Sequence, residues 1–163
     1  MKIVYELSEE LLQDCINIAT GLFFPLEGFM SSSDYHSVVN DMVLNNGEVW
    51  TIPIGLDLDH DTYMKVVDET ILQLTYKSKE VGYLEIDDCY MVDIEKDVIK
   101  IFGTNDSNHP GVKKELLKYK YRVGGKVLIT DKDILANSLN PKETKAYFKS
   151  RNWKTIAGFQ TRN

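Results

Sequence analysis

Long apolar segments are missing from this sequence of 163 residues. No apolar run approaches the roughly 20 residues that a helix needs to cross a membrane. The first six residues also lack the apolar core of a signal peptide. We therefore expect no membrane as a partner, and these absences favour the cytoplasm. Internal repeats and low-complexity stretches are missing too, and the hydrophobic share of 43% is typical of a globular protein rather than a disordered one.

Cysteine is scarce, since only Cys15 and Cys89 occur. Their spacing fits neither a metal-binding pair nor the disulfide framework of a small secreted protein. Cys15 lies in a helical pattern and Cys89 in a strand pattern, so both are predicted to be buried, reduced thiols.

Two stretches resemble ligand-binding loops but lack residues that such loops need. Carboxylates alternate over residues 57–61, as at the start of a calcium loop, but the Gly of the sixth position and the Glu of the twelfth are missing. A helix N-cap is the favoured interpretation there. Gly124-Gly125-Lys126 lacks the flanking residues of a phosphate loop. The sequence therefore predicts no metal site.

Charge is unevenly distributed along the chain, which has a net charge of −6. Residues 1–110 hold 6 Lys and Arg against 21 Asp and Glu, whereas residues 111–163 hold 13 against 4. A positive field in the second part would concentrate anions near it. Solvated helix faces explain the same lysines equally well, so the asymmetry permits anion binding without requiring it.

The first third of the chain predicts helices around an irregular segment. Ser8 is placed to cap a helix that runs to about Ala19, and Gly21 is placed to end it. Residues 22–30 are rich in aromatics and contain Pro and Gly, so we expect a buried, irregular segment that fills the core. An aromatic ligand pocket is the alternative for the same residues.

Further patterns predict a second helix and several strands. Ser33 or Ser32 is expected to cap a helix over residues 34–42, and an Asn-Asn-Gly turn leads into a predicted strand over residues 49–58. Residues 70–76 and 81–89 predict a hairpin, and residues 95–101 a short helix.

The region after residue 102 contains His109, which by residue type could act as an acid or base. No nucleophile or carboxylate partner is evident nearby, so a structural role in the loop 103–111 is favoured. Residues 112–119 predict a helix, and residues 121–130 a strand with a bulge or close backbone approach at Gly124-Gly125.

Short strands interleaved with short helices predict a compact α+β domain of the β-barrel type rather than a parallel sheet. We place its boundary near Ser138, so the domain covers residues 1–138. Asn140 then caps a helix with Pro141 at its first position, ending near Asn152, with Tyr147 and Phe148 facing inward. Residues 139–163 thus predict the beginning of a separate α/β domain.

The last eight residues predict a buried strand, Ile156–Phe159, that ends in a polar turn. Gln160 and Asn163 can each donate an amide N–H, and Arg162 offers a planar fork suited to a tetrahedral oxyanion. Since ligands of α/β sheets bind beyond the carboxyl ends of strands, the turn is a candidate anion site. On the local pattern alone a polar tail is the favoured interpretation, because four polar residues at a terminus are common. We expect the strand to be exposed, disordered or paired with another molecule, because parallel strands are normally covered on both faces.

The sequence resembles ATP sulfurylase (sulfate adenylyltransferase). The motifs that carry the resemblance stand in the order and spacing of that family: Pro-Leu-Glu-Gly-Phe-Met at 25–30, Trp-Thr-Ile-Pro-Ile at 50–54, Phe-Gly-Thr at 102–104, His-Pro-Gly-Val at 109–112, Val-Gly-Gly-Lys at 123–126 and Trp-Lys-Thr-Ile-Ala-Gly-Phe-Gln-Thr-Arg-Asn at 153–163. The resemblance implies a PUA-like N-terminal domain followed by the first helix and strand of the catalytic nucleotidyltransferase domain. In the family a Pro and a His-x-x-His pair come next, beyond Asn163.

The resemblance also implies a reaction and its residues. Sulfate attacks the α-phosphorus of ATP, so ATP binding and sulfate assimilation are implied. Arg162 would be catalytic, and Gln160 and Arg162 would hold sulfate. Thr161 and Asn163 would shape the turn and contact the nucleotide phosphates. MgATP is the co-substrate of the complete enzyme, and we expect no cofactor on this chain alone.

Because most of the catalytic domain is missing from this stretch, we expect no activity from it alone. Partners of the complete enzyme would be sulfate and ATP, with a second copy of the chain or the missing catalytic domain as protein partner. A stand-alone, non-catalytic binding or assembly module is the alternative. RNA binding is a third reading, because PUA-like domains include RNA binders, but the acidic residues 1–110 argue against nucleic acid as a partner.

Overall fold

Two long antiparallel strands form the centre of the fold. The computed structural model describes residues 2–135 and 140–159. Its strands are β1 Val4–Glu6, β2 Gly28–Phe29, β3 Leu56–Leu58, β4 Ile71–Tyr76, β5 Lys79–Met91 and β6 Tyr121–Ile129. Its helices are α1 Glu9–Ala19, α2 Ser32–Asp41, α3 His60–Val66, α4 Ile94–Phe102, α5 Pro110–Leu116, α6 Lys132–Leu135 and α7 Pro141–Ser150. Helices and one mixed sheet together confirm the predicted α+β class.

The sheet has the order β1-β4-β5-β6-β2, and β3 also pairs with β6. β1 runs parallel to β4, and the pairs β4–β5, β5–β6, β2–β6 and β3–β6 are antiparallel. The Tyr5 hydroxyl of β1 donates a hydrogen bond to the main-chain oxygen of Asp57 in β3 at 3.1 Å. β1, at one end of the strand order, thus contacts β3 beside β6, as in the predicted barrel-type arrangement.

A close backbone approach occurs where the sequence predicted one. Gly28 and Phe29 of β2 pair with Lys126 and Gly125 of β6, and β5 shifts register between Ile86 and Asp88 on the other side of β6. A Cβ atom added at Gly28 would lie 1.7 Å from the main-chain oxygen of Gly125. A larger residue cannot be accommodated there, because the obstacle is backbone that a side-chain rotation does not move.

The core consists of two clusters of buried residues. The first lies between α1, α3 and the sheet and comprises Leu7, Cys15, Ile18, Phe29, Leu56, Leu58, Val66, Leu72, Leu74, Val81, Leu84, Val123 and Val127. The second lies beneath α2 and comprises Met30, Tyr35, Val38, Val39, Leu44, Tyr90 and Val92. Residues 140–159 belong to neither cluster.

Most of the predicted helices and strands are confirmed, and several helix caps are as expected. The Ser8 hydroxyl accepts the hydrogen bond of the Leu11 amide, and Asp59 caps α3 by accepting from the Thr62 amide. The cap of α2 was predicted wrongly. Ser31 is the N-cap, because the hydroxyl of Ser32 is hydrogen bonded to Asp88 at 2.5 Å.

Two other predictions in the first half need correction. The strand predicted over residues 49–58 is reduced to β3, since β6 offers β3 partners only at residues 121–123 and Val49 forms an isolated bridge with Val43. The aromatic segment 22–30 is only partly buried. Phe29 lies in the core, but Leu22 and Phe24 are 59% and 63% exposed.

Candidate functional site

The predicted anion-binding residues Gln160, Thr161, Arg162 and Asn163 lie outside the described residues, and so does the predicted domain boundary at Ser138. The site assignment therefore stays a prediction. What the structure describes is the segment that leads to these residues, from Asn140 to Phe159.

Helix α7 begins as the sequence predicted. The Asn140 side chain accepts a hydrogen bond from the Glu143 amide at 2.9 Å, and the Glu143 carboxylate accepts one from the Asn140 amide at 3.0 Å. With Pro141 in the first turn, this capping box satisfies amides that a helix leaves unpaired. The start of α7 is thereby fixed by local contacts.

The aromatic side chains of α7 pack on each other instead of facing the core. Trp153 stacks on Phe148, with ring centroids 5.8 Å apart, and meets Tyr147 edge-on at 5.9 Å. Tyr147 is 44% exposed, and α7 contains no buried residue. The prediction that Tyr147 faces inward is therefore wrong. A chain reversal at residues 151–153 brings Trp153 back onto the helix and determines the direction of the residues that follow.

The predicted strand Ile156–Phe159 is not formed. Residues 155–159 have no regular secondary structure and are exposed, with Phe159 at 90%. Among the described parts of the chain this segment has no neighbouring strand with which to pair. The prediction of a buried strand is wrong, whereas the expectation that the segment would be left exposed is confirmed.

This end of the molecule is strongly basic. Residues 140–159 carry five basic side chains against the single acidic Glu143, namely Lys142, Lys145, Lys149, Arg151 and Lys154. The Arg151 guanidinium lies 5.2 Å from the centre of the Tyr147 ring. Part of the positive charge noted in the sequence thus lies in the segment that directly precedes, in sequence, the residues predicted to hold an anion.

A second concentration of charged groups lies in a cleft of about 480 Å³ between α1, residues 52–57 and α5. Here Lys114 forms an ion pair with Glu10, and Lys118 forms one with Glu115 at 2.8 Å. Burial, and then the nearby Glu10 carboxylate, raise the pKa of Asp14. The Lys114–Glu10 pair joins α1 to α5, whereas the Lys118–Glu115 pair lies at the C-terminal end of α5.

The histidines have structural positions. Nδ1 of His109 accepts the amide hydrogen bond of Val112 at 3.3 Å and caps α5, so the predicted structural role is confirmed. His60 lies 3.5 Å from Asp61 and packs edge-on against Tyr121. Within residues 2–135 and 140–159, no group of three or more His, Cys, Asp or Glu side chains could hold a metal ion.

The cysteines are free thiols in the described structure. Burial raises the pKa of Cys15 to about 12, in agreement with the predicted buried thiol. Cys89 is only half-buried, and burial raises its pKa as well. Neither thiol has the lowered pKa of a nucleophilic cysteine.

Three buried or partly buried polar contacts were not predicted from the sequence. Arg122 is 1% exposed and pairs with Glu115 at 3.4 Å, and the Tyr35 hydroxyl donates to the buried Asp97 carboxylate at 3.1 Å. Asp88 accepts from the amide and hydroxyl of Ser32. The Tyr35–Asp97 and Ser32–Asp88 contacts join residues 62 and 56 positions apart, and a single polar residue in an apolar pattern does not reveal its partner.

Within residues 2–135 and 140–159, no helix has both the length and the apolar character needed to span a membrane.

Comparisons with known proteins find a matching family model and several similar enzymes. The family model of the PUA-like domain matches residues 2–132. The sulfate adenylyltransferase of Hyperthermus butylicus is 41% identical over 160 residues, which cover 96% of this chain and 41% of that relative. The sulfate adenylyltransferase of Ignicoccus hospitalis is 38% identical and covers 97% of this chain and 42% of the relative. The chain thus spans about two fifths of the length of these curated relatives.

A solved structure shares the fold. A chain described as hexameric APS kinase from Thiobacillus denitrificans superposes with a TM-score of 0.58 at 18% identity, covering 93% of this chain and 27% of that one. At that level of identity the likeness concerns the fold alone.

Proposed function

This chain belongs to the PUA-like domain family, and we propose that it is the N-terminal portion of a sulfate adenylyltransferase. The observation that carries the proposal is the similarity to such enzymes at 36–41% identity over 90–97% of the chain. The enzyme joins sulfate to the α-phosphorus of MgATP and yields adenosine 5′-phosphosulfate and pyrophosphate. The proposal includes a place in sulfate assimilation and in the cytoplasm.

The reaction brings two anions into line, so catalysis depends on positioning and on neutralising charge. Arg162 and Gln160 would hold sulfate, since a guanidinium fork matches two oxygens of a tetrahedral anion. Thr161 and Asn163 would shape the turn and bind nucleotide phosphates. The five basic side chains of residues 140–159 support this assignment because they raise the local concentration of anions.

Residues 1–163 alone are expected to be inactive. Two or three charge-assisted hydrogen bonds on an exposed turn give at best about millimolar affinity, whereas enzymatic acceleration needs at least about 8 kcal/mol of transition-state stabilisation. We expect no sulfate-dependent release of pyrophosphate from MgATP by this polypeptide. Turnover comparable with that of a complete enzyme would contradict this expectation.

The function is tested with a chimera in which this chain replaces the matching portion of the Hyperthermus butylicus enzyme, 41% identical to it. The chimera is expected to release pyrophosphate from MgATP only when sulfate is present. Arg162→Ala is expected to reduce kcat/KM by about 100-fold or more, in line with the removal of one donor that stabilises a developing charge.

Arg151→Ala is the matched control, because Arg151 lies on the same basic end but contacts the Tyr147 ring. It is expected to retain activity. A chimera that unfolds cooperatively but has no activity, in this host and in the Ignicoccus hospitalis enzyme, would favour a non-catalytic binding or assembly module instead.

A further inference from the structure

Lys142 joins the two parts of the chain through both of its nitrogen atoms. Its main-chain N–H donates to the carbonyl of Thr20 at 3.3 Å, and its Nζ donates to the carbonyl of Ala19 at 3.0 Å. Both acceptors lie at the C-terminal end of α1, and Ala19 is 123 residues earlier in the chain than Lys142. We call this group, Ala19, Thr20, Gly21 and Lys142, the α1–α7 junction.

The α1–α7 junction supplies hydrogen-bond partners for main-chain groups that are unpaired at the ends of both helices. The first amides of a helix and its last carbonyls have no partner within the helix, and these ends carry opposite partial charges. At the junction an amide of the first turn of α7 meets carbonyls of the last turn of α1. Helix α1 has no basic residue of its own in its last turn, so Lys142 supplies the cation that this end favours.

Gly21 makes room for the Lys142 side chain. A Cβ atom at Gly21 would lie 2.9 Å from Cγ and 3.1 Å from Cε of Lys142. Gly21 has a φ of 77°, which ends α1 and directs the chain away from the junction. The aliphatic part of the Lys142 side chain therefore packs over Gly21, and a side chain at residue 21 would collide with it.

One further contact lies on the same face of α7. Lys145, three residues after Lys142, places its Nζ 4.9 Å from the centre of the Phe24 ring. Since α7 has no buried residue, the contacts that hold its orientation within the described parts of the chain are these polar and cation–π contacts rather than an apolar interface. Trp153 is packed on Phe148 and Tyr147, so the orientation of α7 is passed on to residues 154–159.

We propose that Lys142 is a positioning residue, which docks α7 on the end of α1 and thereby sets the direction of the segment leading to Arg162. The catalytic part of the inference rests on the proposed function. The docking of α7 on α1 does not rest on the proposed function. Docking and catalysis are therefore measured in separate experiments.

The docking is tested on the 163-residue chain by NMR residual dipolar couplings. Lys142→Met keeps the stem and removes the ammonium group. We expect the couplings of the α7 amides to depart from the alignment that fits residues 2–132, while those of residues 2–132 stay unchanged. Lys142→Arg is expected to restore the common alignment. Lys149→Met is the matched control, two turns along the same helix, where no side-chain hydrogen bond joins Lys149 to the described residues. An α7 that keeps its alignment in Lys142→Met would overturn the proposal.

The positioning role is tested in the active chimera. Lys142→Met is expected to raise KM for sulfate or lower kcat so that kcat/KM falls about fivefold, the factor that corresponds to removing one charge from a helix end. The free energy of unfolding is expected to fall by no more than about 1 kcal/mol, and Lys142→Arg to restore the rate. Unchanged kinetics despite altered couplings would overturn the positioning role. An inactive parent chimera would instead count against the proposed function, with the NMR result on docking still decisive.

Discussion

Tyr35 and Asp97 form a buried polar contact between α2 and α4. The two residues are 2% and 6% exposed, and the tyrosine hydroxyl donates to the carboxylate at 3.1 Å. Burial, and then the Asp97 carboxylate, raise the pKa of Tyr35, so the hydroxyl stays protonated and can donate throughout the physiological range. The contact ties together two helices through residues that are 62 positions apart in sequence.

Tyr35→Phe is expected to lower the free energy of unfolding by about 2 kcal/mol, because it leaves a buried carboxylate without its donor. Urea unfolding monitored by circular dichroism measures the change. Tyr83→Phe is the control, since the Tyr83 hydroxyl donates to Glu80 at the protein surface. Equal effects of the two substitutions would show that the buried contact contributes nothing of its own.

Cys15 makes the free energy of unfolding depend on pH in the alkaline range. Burial raises its pKa from the ordinary value of 9.0 to about 12, so the folded state favours the neutral thiol. A raised pKa contributes stability that is complete below pH 9 and is lost as pH rises toward 12. The free energy of unfolding should therefore fall by about 1 kcal/mol between about pH 9 and pH 10 from this group.

The measurement compares urea unfolding of the native sequence and of Cys15→Ala at both pH values. The substitution leaves a small cavity that lowers stability equally at each pH, so only the slope is informative. We expect a shallower slope in Cys15→Ala. Identical slopes would show that Cys15 does not carry this dependence.

Residues whose roles depend on near neighbours were the ones that the sequence predicted well. Ser8, Asp59 and Asn140 cap their helices as expected, because each contacts an amide three residues away. Ser31 was missed in favour of its neighbours. Which of the consecutive serines caps α2 depends on Asp88, 56 residues from Ser32, and a local pattern contains no such information.

At the scale of elements, the turn between β4 and β5 contains two non-glycine residues in a left-handed backbone conformation. Lys77 and Ser78 connect the strands with φ values of 51° and 62°, a left-handed conformation that glycine adopts at least cost. The Ser78 amide donates to Glu6 at 3.2 Å, and glycine keeps this amide. The turn can therefore be improved without loss of its interactions.

Ser78→Gly is expected to raise the free energy of unfolding by about 1 kcal/mol, the usual cost of a left-handed conformation in a residue with a side chain. Thermal and urea unfolding measure the gain. Ser107→Gly is the control, because Ser107 lies in an exposed turn without a positive φ. There glycine only adds freedom to the unfolded chain and is expected to lower stability slightly. A loss of stability in Ser78→Gly would contradict the prediction.

The elements that the sequence misjudged are those whose limits depend on distant partners. The apolar pattern of residues 49–58 is typical of a strand, but the ladder extends only where β6 offers a partner. Tyr147 has the spacing of an inward-facing residue, yet α7 has no core to face. Hydrophobic periodicity predicts which side of an element is apolar, but it does not predict what covers that side.

For the whole molecule, the α+β class and most elements followed from the sequence, because strand and helix patterns are local. The candidate site followed from family motifs and not from geometry, since Gln160 to Asn163 lie beyond the described residues. The basic character of residues 140–159 was visible in the sequence as a charge asymmetry. Their attachment through Lys142 was not, because it depends on main-chain carbonyls that have no sequence signature.

The distribution of the core predicts that the PUA-like part folds without the rest. Both core clusters, and the half-buried residues packed on them, end by Ile134, and the described residues of 140–159 contribute to neither. A polypeptide of residues 1–135 is therefore expected to unfold cooperatively. Its free energy of unfolding should lie within about 1 kcal/mol of that of the full chain, because a charge at a helix end, such as Lys142 on α1, contributes no more than this.

Urea unfolding of both polypeptides measures the difference. A deletion of residues 1–7 is the opposite control, because it removes β1 and Leu7, which is 3% exposed in the first cluster. It is expected to abolish the cooperative transition or to lower its midpoint strongly. The prediction is contradicted if residues 1–135 are less stable than the full chain by several kcal/mol. Residues 140–159 would then have to contribute to folding through more than the α1–α7 junction and the Phe24–Lys145 pair. The α7 segment would then be an integral layer of the PUA-like domain rather than an element docked on its surface.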